Sequence, residues 1–407
     1  MFKDFSEVLP RNLLDIKDKT RSNIFTWRGQ FSPQLIECIL EAYCPGDATL
    51  LDPFAGSGTV LYEAARLKMA AYAFEVNPAA WIFSKTYEFA NVPEDGRVGV
   101  LRELQGGVEG AFPVVLFSEQ VLRSTEIRSR VCEIAANLSD QGKILLNALV
   151  VLLDLAKHKV TSEFVQRRFL DLARLIRSLP YSERPLSAEL HDARCMPLQN
   201  DIVDFVMTSP PYINVFNYHQ NYRRSVEVLG WNLLRVARSE IGSNRANRGN
   251  RFYTVVQYCL DMASVLQELH RVLKPDGRVV FVVGHESRVL SVPFYNADII
   301  QSIAVKSRLF RVVNRQQRAF TNRFGKSIRE DVLSFEKTPD GVQDDDLVDA
   351  ARDVASSALE SATSVVPAKN SGLLLEALAR VPDVQGTPFF DSKSYGDYQT
   401  HDFVMVP

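Results

Sequence analysis

Two short stretches of this 407-residue chain combine residue types whose chemistry is specific. The first is Asp52-Pro53-Phe54-Ala55-Gly56-Ser57-Gly58-Thr59. A Gly-x-Gly turn between a strand and a helix brings the backbone close to a ligand and aims the unpaired N–H groups of the helix start at it. A P-loop needs a Lys after the second glycine, and Thr59-Val60 stand there instead. A dinucleotide fingerprint needs a third small residue where this chain has Leu61. Glu75 closes the next apolar run, where a carboxylate can bind two ribose hydroxyls. The second stretch is Thr208-Ser209-Pro210-Pro211-Tyr212, after the apolar residues 205–207. Two consecutive prolines fix φ and forbid helix or ladder pairing. They predict a rigid loop at the C-terminal end of a parallel strand, which is where such sheets bind ligands.

The elements that must position these stretches follow from periodicity and punctuation. Ser32-Pro33 starts a helix that runs to about Tyr43 and stops at Pro45-Gly46. Residues 48–51 read as a buried strand, 60–67 as a helix and 71–76 as a second strand. Strand, glycine turn, helix and strand make a βαβ unit and imply a parallel sheet. Residues 95–187 break the rhythm with helical stretches near 118–137, 142–158 and 162–178 and little strand signal, so they read as a helical insertion. Strand signals resume at 189–191, 204–208, 278–283 and 331–336, with a helix from about Tyr258 to about Leu273. Past Lys337, Asp344-Asp345-Asp346 and a Ser/Ala-rich stretch read as a linker and peripheral tail, with a helix at 372–380. The chain thus divides into an N-terminal segment with a cofactor-binding half at 1–94, the insertion at 95–187, a catalytic half at 188–337 and an acidic extension at 338–407.

At this point the first stretch resembles the cofactor motif of the amino-methyltransferases that act on DNA, written D-P-F-x-G-S-G-T. The resemblance implies an α/β fold, a Rossmann-like S-adenosylmethionine-dependent methyltransferase sheet carrying the insertion and the C-terminal extension. It implies that Asp52, Phe54, Gly56, Ser57, Gly58 and Thr59 hold the methionine part of S-adenosylmethionine and that Glu75 holds the ribose. Asp192 matches the acid that contacts the adenine, and residues 26–32, led by Thr26, resemble the segment that closes over the methionine carboxylate. Thr208 is grouped with the cofactor residues. Residues 207–212 resemble the cytosine-N4 enzymes, whereas adenine-N6 enzymes usually carry Asp or Asn where Ser209 stands. The implied activity is methyl transfer to cytosine N4 in duplex DNA, in restriction–modification or a related defence setting, with a cognate restriction endonuclease or defence subunits as partners. Adenine-N6 methylation, RNA base methylation and a non-catalytic DNA-binding subunit are the alternatives. The cofactor motif precedes the reaction motif here, which is the reverse of the order in many members.

The residue types suit that reaction. An exocyclic amine is a poor nucleophile because its lone pair is delocalised into the ring. Two acceptors, Ser209 Oγ and the Pro210 carbonyl, hold its N–H groups and favour a pyramidal nitrogen, so positioning and electrostatics supply the catalysis. Pro211 stiffens the loop, and Tyr212 stacks on a base rotated out of the duplex.

Charge is distributed unevenly. Residues 338–407 hold 12 acids against 4 Lys/Arg, or −8, so with a net charge of −2 the remainder carries +6. Residues 212–251 contain seven Arg, two Glu and neither Lys nor Asp. Arg245, Arg248 and Arg251 in a flexible loop at 239–251, and Arg315, Arg318 and Arg323 in the basic stretch 306–329, are the candidate DNA contacts. The five cysteines are odd in number and form no C-x-x-C pair, which argues against a disulfide framework and a zinc site and fits buried thiols in a reducing cytoplasm. The apolar run 144–155 is too short to span a bilayer.

Overall fold

The computed structural model describes residues 4–17, 20–21, 23–27, 29–30, 32–114, 120–214, 218–243, 246–322, 325–339 and 344–390. Helix α1 (Pro33–Tyr43) has Pro33 at its first turn, where a missing N–H costs nothing. Strand β1 (Thr49–Asp52) ends in the glycine turn, from which α2 (Thr59–Arg66) departs. Strand β2 (Ala70–Glu75) follows, and Asn77 caps α3 (Pro78–Lys85) by accepting the Ala79 N–H at 3.0 Å.

Four helices come next: α4 (Glu94–Ala111), α5 (Ser124–Ala135), α6 (Asp140–Leu152) and α7 (Ser162–Ser178). Helix α4 was not expected, because it carries five glycines and glycine is a poor helix former. Packing overrides propensity at one of them: a Cβ on Gly107 would stand 2.7 Å from Ile134 Cγ2, so only glycine lets α4 approach α5 this closely.

The chain then returns to the sheet with β3 (Leu186–Leu190) and β4 (Val203–Thr208). A short helix α8 (Arg223–Val228) and the long α9 (Tyr253–Val272) lead to β5 (Leu273–Gly284). A small hairpin of β6 (Glu286–Val289) and β7 (Val292–Tyr295) precedes α10 (Asn296–Lys306). Strands β8 (Phe310–Thr321) and β9 (Ser327–Lys337) finish the sheet.

The seven-stranded sheet has the order β3-β2-β1-β4-β5-β9-β8. Strands β1 to β5 pair in parallel, and β9 is antiparallel to both β5 and β8. This is a Rossmann-like α/β sheet, and its strand order reverses between β1 and β4. Both faces are covered. Phe205, Met207, Val280 and Val282 face the core that includes α1, α2 and the insertion, whereas Val206, Val279, Phe281 and Val283 face the core that includes α9 and α10. Burial on two sides explains why β4 and β5 read as continuous apolar runs.

Two stretches differ from expectation. The basic stretch after α10 contains a 12-residue strand, β8, whose Asn, Gln and Arg side chains hid it. The acidic stretch read as a linker forms helix α11 (Asp344–Ala362), followed by α12 (Ala368–Ala379). Leu347, Ala351, Val354, Ala355 and Leu359 recur at helical spacing and are buried in the same core as α9. Acids occupy the outer face, so composition suggested a linker where periodicity specifies a docked helix. Among the described residues no helix is long and apolar enough to cross a membrane.

Leu359 is fully buried, so Leu359→Ala is expected to destabilise the chain by about 2–4 kcal/mol in denaturant titration. An unchanged midpoint would mean that α11 does not stabilise the core.

Candidate active site

The two motifs meet where the strand order reverses. Asp52 Oδ1 accepts the Thr208 hydroxyl at 2.6 Å and the Phe54 N–H at 3.1 Å. The end of β1 is thereby tied to the end of β4. Behind Asp52 the chain turns through Gly56 and Gly58, at φ +51° and +85°. At Gly58 a Cβ would also stand 2.6 Å from the Tyr87 ring and 2.8 Å from the Ser84 backbone, so this glycine is needed for packing as well as for its dihedral.

Glu75 closes the turn from the neighbouring strand. Its two oxygens accept the Gly56 N–H at 2.9 Å and the Asn77 N–H at 2.8 Å. The carboxylate has acceptor capacity beyond these bonds for a ligand hydroxyl. Burial pushes both carboxyls up, Asp52 to about 7 and Glu75 to about 7, and the nearby Asp52 raises Glu75 further.

The cavity above the turn is lined by residues of both motifs and by Trp27, Gly29 and Gln30 of the N-terminal segment. Phe25 anchors that segment by stacking on Phe83 at 4.3 Å. Gln30 Nε2 donates to the Phe25 carbonyl at 2.7 Å and to Ser57 Oγ. Phe54, Ser57 and Thr59 line the cavity as expected positions, whereas Thr26 does not: it is exposed, and its carbonyl accepts the Tyr222 hydroxyl at 2.7 Å. Four carboxylates line the cavity, Asp52, Glu75, Asp192 and Glu240, and no Lys, Arg or His does among the described residues. A buried pocket with Asp52 and Glu75 unmatched by lining cations suits a positively charged ligand and disfavours phosphate.

Asp192 sits differently from the expected adenine contact. Its carboxylate accepts four donors: the Arg194 N–H at 3.0 Å, Arg194 Nε at 2.9 Å, Arg194 Nη2 at 2.7 Å and the Phe390 N–H at 2.9 Å. These fill its acceptor sites, so the carboxylate orients the cavity wall rather than offering lone pairs to a ligand. Arg194 also donates to Asp261 at 3.0 Å and to the Thr387 carbonyl at 2.6 Å. Sequence alone offered no signal for this buried cluster or for the C-terminal segment that completes it.

The reaction loop is held from three sides. Ser209, Pro211 and Tyr212 line the cavity, and Pro210 between them is buried. Ser209 Oγ stands 3.3 Å from the Tyr212 hydroxyl, and Tyr258 of α9 donates to the Pro211 carbonyl at 2.9 Å. A Cβ on Gly242 would stand 2.4 Å from the Tyr212 carbonyl, and one on Gly284 would stand 2.8 Å from the Tyr212 ring. Asn296, fully buried, donates to the Gly284 carbonyl at 2.8 Å and accepts the Ile213 N–H at 3.4 Å. Burial raises the Tyr212 phenol, so it stays neutral. Gly242, Gly284, Tyr258 and Asn296 all support the loop from a distance in sequence, and none is marked by a motif.

The candidate DNA contacts separate into two groups. Arg248 and Arg251 are exposed, and Arg245 and Arg323 lie outside the described residues. Arg315 and Arg318 require correction. Arg315 bridges Asp331 at 3.0 Å and Asp298, and Arg318 is 3% exposed against Glu330 at 3.2 Å and the Phe320 ring at 4.7 Å. Neither guanidinium is presented to a phosphate, because pairing along β8 and β9 turns them toward acids of the sheet. Of the stretch 239–251, expected as a flexible loop, both described ends are held: Ser239, Glu240 and Ile241 line the cavity, and Asn250 donates to the Leu373 carbonyl of α12 at 2.7 Å.

Residues 2–82 match the family model described as DNA methylase, of N6 and N4 methyltransferases. The match covers the N-terminal segment, the glycine turn and Glu75 and ends before the reaction loop, so it does not separate the two target bases. No curated protein sequence matches the chain. A SAM-dependent methyltransferase from Methanosarcina mazei shares 10% identity, over 74% of this chain and 98% of its own, with a TM-score of 0.34. The rRNA methyltransferase aviRa from Streptomyces viridochromogenes shares 14%, over 86% and 98%, at 0.29. A geranyl diphosphate methyltransferase, solved with GPP and sinefungin, shares 8%, over 75% and 78%, at 0.31. Scores this low carry nothing about substrate, and the fold rests on the strand order itself.

Asp52→Asn keeps the Oδ1 acceptor for both of its hydrogen bonds and removes the charge. A carboxyl whose folded pKa is raised contributes stability below its ordinary value near 4 and loses it as pH rises through about 7. The ligand-free variant is therefore expected to melt above the parent at about pH 8, with the difference closing toward pH 4. A variant that melts lower across that range would refute the unmatched charge.

Proposed function

We propose that this chain transfers a methyl group from S-adenosylmethionine to an exocyclic amine of a base in duplex DNA, with cytosine N4 as the target. The observation that carries this reading is the Asp52–Thr208 hydrogen bond. It joins the glycine turn and the Ser-Pro-Pro-Tyr loop at one cavity whose lining carries carboxylates and no cation among the described residues.

The cavity fits the cofactor in its chemistry. When bound, S-adenosylmethionine supplies a methyl group already activated by a positive sulfur. Gly56, Ser57 and Thr59 offer backbone and hydroxyl groups to its methionine part, and Glu75 accepts from the ribose hydroxyls. Asp52 and Glu75 leave negative charge near the sulfonium, and Trp27 and Gln30 cover the turn and exclude water. Ser209 holds one N–H of the target amine, and the Tyr212 ring, fixed against Gly284, stacks on the base. The choice of cytosine rests on Ser209 in the resemblance stated above, and the defence setting, with a cognate endonuclease as partner, rests on the same resemblance.

A surface that meets the cavity at Trp27 supports a nucleic acid as the partner. Trp27 stacks on Tyr222 with ring centroids 6.2 Å apart and planes 11° apart, and Lys157 Nζ stands 5.3 Å from the Tyr222 ring. Arg167 and Arg168 of α7 lie 5.2 and 5.0 Å from the Phe164 ring, and Lys159 and Arg224 are exposed. Cations interleaved with aromatic rings suit phosphates and unstacked bases together.

Purified chain incubated with S-adenosylmethionine and duplex DNA is expected to yield N4-methylcytosine on nucleoside analysis. N6-methyladenine instead would move the target base, and no methylated nucleoside in DNA or RNA would end the enzyme reading. Ser209→Ala is expected to abolish transfer while cofactor binding, followed by calorimetry, survives.

Gly284→Ala is expected to lower the transfer rate by roughly tenfold or more, by displacing the Tyr212 ring, with cofactor affinity unchanged. An unaltered rate would separate Tyr212 from the reaction.

A further inference from the structure

One wall of the cavity is held by a segment that neither motif reaches. Strand β3 runs beside β2 with Leu190 opposite Glu75, and the His191 N–H donates to the Glu75 carbonyl at 3.2 Å. Asp192 and Ala193 follow at once and line the cavity together with Glu75, Val76 and Asn77. Glu75 takes the ribose in the reading above, so the wall beside it bounds the nucleoside half of the cofactor.

Arg194 fixes that wall. Its side chain is 2% exposed, and all five of its guanidinium N–H groups have acceptors. Two go to Asp192 and one to Asp261. The other two go to the Thr387 carbonyl at 2.6 Å and the Pro388 carbonyl at 3.0 Å. The same C-terminal segment returns three donors to the acids. The Thr387 N–H reaches Asp261 Oδ1 at 2.8 Å, the Thr387 hydroxyl reaches Asp261 Oδ2, and the Phe390 N–H reaches Asp192 Oδ2 at 2.9 Å. The backbone comes so close that a Cβ on Gly386 would stand 3.2 Å from Asp261 Oδ1. The Phe389 ring lies 4.4 Å from the centre of the guanidinium. Asp192, Arg194 and Asp261 are all buried. Without the segment, two buried N–H groups would lose their acceptors and both carboxylates would lose donors. Residues 192–194 would then have to move to find water.

Resting on that reading of the cavity, we propose that Arg194 is a positioning residue for S-adenosylmethionine and that residues 386–390 are the strap that holds it in place. None of residues 386–390 lines the cavity, so the strap acts through Arg194 and the Asp192–Ala193 wall. Docking of the strap and binding of the cofactor therefore favour each other, and by linkage each strengthens the other by the same factor. The effect falls on cofactor affinity rather than on the transfer step. The reaction loop is held by separate bonds, from Thr208 to Asp52 and from Tyr258 to the Pro211 carbonyl. The C-terminal extension is on this account a working part of the cofactor site.

The test uses the full chain and two variants, with S-adenosylmethionine affinity measured by calorimetry and methyl transfer to duplex DNA measured separately. Arg194→Lys keeps the charge but offers three donors in place of five. Its dissociation constant and its KM for the cofactor are expected to rise about tenfold, with a much smaller change in kcat. Thr387→Val keeps the shape and removes the hydroxyl, and a rise of about threefold is expected. The parent chain supplies the converse measurement. Hydrogen exchange at the Thr387 and Phe390 amides is expected to slow when S-adenosylmethionine saturates the protein. Unchanged affinity in both variants would overturn the proposal, as would a fall in kcat as large as the rise in KM. Unchanged exchange at the two amides would also overturn it, and that result decides the matter if a variant does not fold. A parent chain that binds no S-adenosylmethionine would overturn the cofactor reading itself, which differs from variants that bind as well as the parent.

Discussion

One hydrogen bond, from the Thr208 hydroxyl to Asp52 Oδ1, sets the geometry of the site. Two residues 156 positions apart become neighbours because β1 and β4 are adjacent parallel strands whose next partners lie on opposite sides. Parallel strands that diverge in this way leave a crevice at their C-terminal ends. The bond holds the two lips of that crevice at a fixed separation. A cavity that positions a ligand between two strand ends requires that separation to be constant to a fraction of an ångström.

The same crevice concentrates negative charge away from water. Asp52 and Glu75 each satisfy backbone N–H groups, and those bonds lower their pKa values, yet desolvation outweighs them. The balance leaves two groups that titrate near neutrality in the ligand-free chain. A cationic ligand changes that balance by supplying the missing countercharge, so affinity for the ligand and the ionisation of its site are linked. Charge selection of this kind needs no dedicated basic or acidic patch on the surface.

Much of the site was legible because its chemistry is local. Gly56, Gly58, Glu75, Ser209 and Tyr212 sit in short strings whose residue types answer to a turn, a ribose or a rigid loop. The first half of the sheet was legible for a similar reason, since β1, α2, β2 and β4 have clear apolar periodicity and clear stops. What stayed hidden depends on contacts between distant segments. Gly284 and Gly242 pack against Tyr212, and buried His219 holds one oxygen of Glu240, from positions outside either motif. Charge was the least reliable guide. Arg318 and Arg315 looked like surface cations and are turned toward acids of the sheet, while Asp344–Ala362 looked like a solvated linker and packs against α9. Composition reports what a segment contains, whereas the periodicity of its apolar residues reports which way it faces.

The buried cluster of Asp192, Arg194 and Asp261 draws its final partners from the far end of the described chain. Arg194 waits 193 residues for the Thr387 carbonyl, and Asp192 waits 198 for the Phe390 N–H. A chain emerging from the ribosome therefore carries a closed glycine turn and a formed reaction loop before the wall at Asp192 has its outer support. Order of synthesis becomes order of assembly: this part of the cavity wall is set when residues 387–390 lie down on residues translated roughly 10–40 s earlier, at about 5–20 residues per second. A nascent chain and a finished one would differ at this wall while sharing every residue of both motifs.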